Sequence, residues 1–93
     1  MVKIKSAAIM FFNLDTQAWQ IVTGKSHAAC YHKMYEQGIR YDKKRKREGF
    51  VTSQGDKHFV NRSCASYIAW KAGQIKEIPK DWMLFSERID WSK

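Results

Sequence analysis

Two places in the 93-residue sequence set a cation where a helix would begin. Gly24-Lys25-Ser26-His27 breaks a strand-like run and opens a helix-like one, and Asn61-Arg62 stands at the head of another. The first turn of a helix carries backbone N–H groups without intrahelical partners, and its dipole adds positive potential, so phosphates and carboxylates bind there. Lys25 would add a point charge and His27 an imidazole that titrates near neutral pH. Arg62 would offer a planar fork to two phosphate oxygens, or to an internal carboxylate such as Glu87. Tyr31, four residues after His27, and Phe50 supply rings on which a base would stack. Lys25, His27, Tyr31, Phe50 and Arg62 are therefore the expected ligand-binding residues.

Other chemistries find little footing. There is no Gly-x-x-x-x-Gly-Lys phosphate loop, no nucleophile elbow around Ser63-Cys64 and no closely paired carboxylates, so no catalytic residue is assigned and the chain reads as a non-enzyme. Cys30 and Cys64 form no Cys-x-x-Cys pair. His27 and Cys30 would share a helix face while His32 would lie on another, so neither a metal nor another cofactor is expected. Cys30 reads as a small core residue and both thiols as reduced. His58, between Lys57 and Phe59, reads as a solvent-facing side chain on a strand.

Seventeen basic against nine acidic side chains leave a net charge of +8. Arg40, Lys43, Lys44, Arg45, Lys46 and Arg47, offset by Asp42 and Glu48, carry 6 − 2 = +4 of it. Residues 40–48 are therefore expected to form a basic loop. Such a loop is either a solvated connector or a surface whose self-repulsion is relieved by an anion, and it would steer a nucleotide, track a nucleic-acid backbone or dock on an acidic protein face.

The elements that must hold these residues follow from periodicity. Val2–Phe12 and Ala18–Thr23 flank Asn13-Leu14-Asp15-Thr16 and read as a hairpin; Gly49–Thr52 and Lys57–Val60 around Ser53–Asp56 read as a second. Ser26 would cap a helix to about Gln37, closed by Gly38, with His27, Cys30, Tyr31, Met34 and Tyr35 on one stripe. Asn61 would cap a second, with Cys64, Ala65, Ile68, Ala69 and Ala72 facing the sheet and Gly73 closing it. Trp82–Ser86 would add a last short strand. The order ββαββα(β) implies an α+β fold, a small antiparallel sheet packed by two helices, in a single domain over 1–93. Ala7–Phe12, the longest apolar run, is too short to span a membrane or form a secretory core, so a cytoplasmic protein without membrane contact is expected.

Gly49-Phe50-Val51-Thr52, Phe59-Val60-Asn61-Arg62, Ala72-Gly73-Gln74-Ile75 and Leu84-Phe85-Ser86-Glu87 together carry a resemblance. In this joint pattern, over about two thirds of its length, the chain resembles a family of small, mostly uncharacterised proteins encoded by bacteriophages, prophages and their hosts. It departs from the pattern at Asn61, where Asp is usual, at Arg88, where a second acid is usual, and in its wealth of cations at 40–48. The resemblance implies a counter-defence role in the host cell. The leading expectation is a homo-oligomeric sponge for a phosphate-bearing nucleotide signal. The alternatives are sequence-independent nucleic-acid binding through the basic segment and direct inhibition of a host defence protein.

Overall fold

A computed structural model describes residues 1–93. Its elements run β1 (Ile4–Asn13), β2 (Ala18–Gly24), α1 (His27–Glu36), β3 (Tyr41–Thr52), β4 (Gly55–Asn61), α2 (Arg62–Lys71) and a 3-10 turn at Ser86–Arg88. The four strands form one antiparallel sheet in the order β2-β1-β3-β4. The expected α+β order ββαββα is the one observed.

Alternation along β1 divides the sheet into two faces. Ala7, Ile9 and Phe11 point to the side where Cys30 and Met34 of α1, Ala65 and Ala69 of α2, Phe50 and Leu84 complete the core. Both helices lie on that side. Met10 and Phe12 point to the other, where Trp19 keeps 49% of its surface exposed while Ala8 and Val51 are buried. Within β2 it is Val22 that packs on the core, so Trp19, Ile21 and Thr23 belong to the face without helices.

Both helix starts follow from their caps. The Ser26 hydroxyl accepts from the Ala29 amide at 3.1 Å and the Asn61 side chain from the Cys64 amide at 2.8 Å, satisfying N–H groups that the helices leave over. Gly38 and Gly73 end the helices at φ of 65° and 76°, where a Cβ would be strained.

The basic segment is not a loop. Residues 41–48 are the first part of β3: Ile9 pairs with Glu48, Met10 with Arg47 and Phe11 with Lys46. The next partners are Asn13 and Tyr41, so Asp42 to Arg45 stand opposite Phe12 alone and bulge outward. Main-chain pairing to β1 is indifferent to side-chain charge. Because β4 meets β3 only from Gly49 onward, this stretch is a sheet edge, where Lys and Arg are well tolerated and deter pairing with other chains.

The strand expected at Trp82–Ser86 is absent. Gln74, fixed just after α2, donates to the Ile4 carbonyl and accepts from the Ile4 amide, both at 2.9 Å, and so occupies the main-chain groups a further strand would need. The tail instead turns at Trp82, with φ of 56°, and inserts Leu84 and Ile89 into the core. Two stripe residues also differ from expectation. Tyr35 is 84% exposed, lying past the edge of the buried face, and Cys64 is exposed while its neighbour Ser66 is buried and donates to the Arg62 carbonyl at 2.9 Å. Cys30 is a buried free thiol, as a small core residue would be. No helix is long and apolar enough to cross a membrane.

Candidate functional site

His27 and Arg62 are the first residues of α1 and α2, and the sheet brings the two helix starts together over Glu48 of β3. The cause is registry. Lys46, Glu48 and Phe50 alternate onto the helix face of β3, and β4 leads directly into α2 beside them. Glu48 then sits where two helix N-termini and a guanidinium add positive potential, a favourable position for an anion.

The carboxylate is held from both sides. Arg62 Nη2 donates to Glu48 Oε1 at 2.7 Å, and the Tyr31 hydroxyl donates to Oε2 at 2.5 Å. Burial, the largest single influence, would raise the Glu48 pKa, but the bonds from Tyr31 and Arg62 together outweigh it and hold the group below the ordinary glutamate value. Tyr31 is pushed above the ordinary tyrosine value, by burial first and then by the carboxylate it serves. Its hydroxyl is thus a standing donor.

His27 Nε2 donates to the Gly49 carbonyl at 2.8 Å, which leaves Nδ1 to receive Arg62 Nη2 at 3.4 Å. This pattern fixes the neutral tautomer. Burial lowers the His27 pKa most, the Gly49 carbonyl raises it in part, and the Arg62 charge lowers it further. Arg62 also donates through Nη1 to the Leu84 carbonyl, with its guanidinium carbon 5.1 Å from the exposed Phe85 ring. The tail thereby helps to aim Arg62 at Glu48.

Of the expected ligand residues, His27, Tyr31 and Arg62 converge. Phe50 lies beneath them, edge-on to His27 with centroids 5.1 Å apart, but it is fully buried and has no face to offer a base; packing of the strand's helix side claimed it. Lys25 points elsewhere, into a separate depression of about 960 Å³ shared with Lys5, Lys33 and Trp91. The basic residues also part company. Lys46 sets its ammonium 5.0 Å above the Tyr31 ring, beside the site, whereas Arg45 lies 3.8 Å over Phe12 on the opposite face and is bound by Asp42 at 2.9 Å. Arg40 pairs with Asp15 at 2.6 Å; Lys43, Lys44 and Arg47 have no ion-pair partner.

Glu48 is the member that sequence reasoning missed, since it entered only as an offset in a charge count, and the partner expected for Arg62 was Glu87. The signal was available: a strand through Phe50 puts Glu48 on the same face, two residues toward the helix starts. Chemically, the cluster offers a half-exposed carboxylate that accepts hydroxyl donors, with Arg62 and Lys46 flanking it as phosphate partners.

Residues 3–90 match the protein family described as Phage T4 y16D protein. No curated protein and no solved structure matches the chain.

Proposed function

The chain belongs to the phage T4 y16D protein family, and on that premise we propose that it is a non-enzymatic binder of a phosphate-bearing nucleotide, of the cyclic or ADP-ribose-derived kind, that withdraws a host defence signal. The observation that carries this reading is the meeting of Tyr31 and Arg62, from two helices, on Glu48 of a cationic strand, with His27 bonded to Arg62 beside them. A carboxylate beside a helix start is suited to ribose hydroxyls, and the adjoining guanidinium to phosphate. In this reading Arg62 exchanges its bond to Glu48 for one to a phosphate oxygen, and Glu48 turns to the ribose. Lys46 closes on the same side. His27 supports holding rather than proton transfer, because both ring nitrogens are engaged and neither is free to act as a base. A second copy laid over Phe85, 46% exposed beside Arg62, would enclose a ligand that one small core leaves partly open.

Isothermal titration calorimetry at low salt with cyclic dinucleotides, cyclic ADP-ribose and ADP-ribose tests the reading. We expect heat from one of these classes, and at least a tenfold weaker affinity in Arg62→Ala and in Glu48→Gln. Absence of heat with every member of the panel overturns it.

A further inference from the structure

The second face of the sheet joins rings and cations without any helix over them. Phe12 and Trp19 are cross-strand partners, their centroids 5.8 Å apart at an interplanar angle of 77°, and the Arg45 guanidinium lies 3.8 Å above the Phe12 ring. Arg47 is paired with Met10 on the same face and has no acidic partner. The bulge adjoining Phe12 also carries Lys43 and Lys44, both exposed. A depression of about 720 Å³ wraps the β2 edge, lined from this face by Met10, Trp19 and Ile21 and from the helix side by Phe11, Val22 and Ile39.

From this juxtaposition we infer that the helix-free face binds single-stranded nucleic acid without sequence preference, with Trp19 and the Arg45–Phe12 stack taking bases and Arg47, Lys43 and Lys44 taking phosphates. Charge selects the occupant. Of the six cations in residues 40–48, Lys46 faces the helices and Arg40 is paired with Asp15, which leaves Lys43, Lys44, Arg45 and Arg47; of the two acids, Glu48 faces the helices and Asp42 is paired with Arg45. The surface is therefore complementary to a polyanion. The rings select the single strand: its bases present open π-faces that stack on aromatic side chains, whereas a duplex keeps its bases stacked inside and offers this face only phosphates. Arg45 is suited to both tasks, being planar as well as charged. This surface is separate from the Glu48 cluster, from which the sheet divides it, and does not depend on the nucleotide reading.

Fluorescence anisotropy of a labelled 12-nucleotide single strand and of the corresponding duplex, both at low salt, tests the inference. The single strand should bind at least tenfold more tightly than the duplex. Trp19→Ala should weaken it about 5- to 160-fold, the range that loss of one stacked base covers. Trp19→Phe, which keeps a ring, should restore most of that loss, and Lys76→Ala, which removes the same unit charge from the C-terminal segment as one β3 lysine would, should change affinity less than twofold. Melting temperatures establish that the variants are folded. Equal or tighter duplex binding, a folded Trp19→Ala protein that binds as wild type, or no binding at all overturns the proposal; in the last case an acidic protein face is the better match for the cations.

Discussion

At the scale of single residues, the site is a lesson in how one carboxylate organises its neighbours. Glu48 is worth more ionised than neutral because Tyr31 and Arg62 both donate to it, and His27 is worth more neutral than charged because it is half-buried beside Arg62. Both conditions make stability fall with acid, but in different windows. The unfolded chain takes up the His27 proton near pH 6.5 and the folded chain only below that, so the contribution of this residue is complete above 6.5 and is lost as pH falls through the lowered folded value. For Glu48, also lowered, the contribution is complete above about 4.3 and is lost as pH falls through its folded value. Urea unfolding at intervals from pH 8 to 3 should therefore show a first decline beginning near 6.5 and a second below about 4.3. His27→Gln should abolish the first and keep the second. A wild-type midpoint that is level between pH 7 and 5 counts against the neutral, twice-bonded imidazole. Arg62→Ala at pH 7, which strips the bonds to Glu48 and to the Leu84 carbonyl, should cost about 1.5 to 3 kcal/mol in the same measurement, the usual range for hydrogen bonds to charged groups.

At the scale of elements, the β3–β4 hairpin governs the geometry, because it supplies Glu48 and leads straight into Arg62. Its tightest point is Gly49. A Cβ there would lie 2.3 Å from the Val60 carbonyl oxygen and 2.6 Å from the Phe59 ring, and the first obstacle is backbone that cannot step aside. Gly49→Ala should therefore cost about 3 kcal/mol, the upper end of ordinary overpacking, and should also disturb the His27 bond to the Gly49 carbonyl. A chemical denaturation midpoint unchanged from wild type would falsify that reading of the close approach. Much of this element plan was legible in the amino acids themselves. The caps Ser26 and Asn61, the closing Gly38 and Gly73 and both hairpins act locally, through bonds spanning three or four residues, and local chemistry is what a sequence displays. Three of the five expected ligand residues come together, His27 and Arg62 because each opens a helix and Tyr31 because it lies one turn after His27. What escaped was set by distant partners. Residues 41–48 look like a solvated loop until β1 is known to lie alongside, and Trp82–Ser86 looks like a strand until Gln74 is seen holding Ile4. Phe50 and Lys25 miss the site because strand parity and a depression near Trp91 decide where they point, and neither can be read without the third dimension.

At the scale of the whole molecule, the basic residues of β3 divide between two surfaces on opposite sides of one thin sheet. Lys46 and Glu48 face the helices; Arg47 faces away, and Arg45 folds over Phe12 on that same side. Alternation within one strand therefore gives neighbouring cations different surroundings. The division has a measurable consequence in salt. Each phosphate neutralised on a single strand releases counterions and adds about 0.7 to the slope of log affinity against log salt. If Arg45 and Arg47 each take one phosphate, the double substitution Arg45→Ala/Arg47→Ala should flatten the slope for a 12-nucleotide single strand by about 1.4. Calorimetry of the nucleotide that wild type binds should move less than twofold in the same double variant, since neither arginine reaches Glu48. Should the slope stay unchanged while affinity drops, the arginines act by packing and stacking rather than by charge, and the phosphates must be met by Lys43 and Lys44 on the bulge. Should nucleotide heat vanish together with strand binding, the sheet does not separate two sites, and both anions converge on one surface that β3 alone defines.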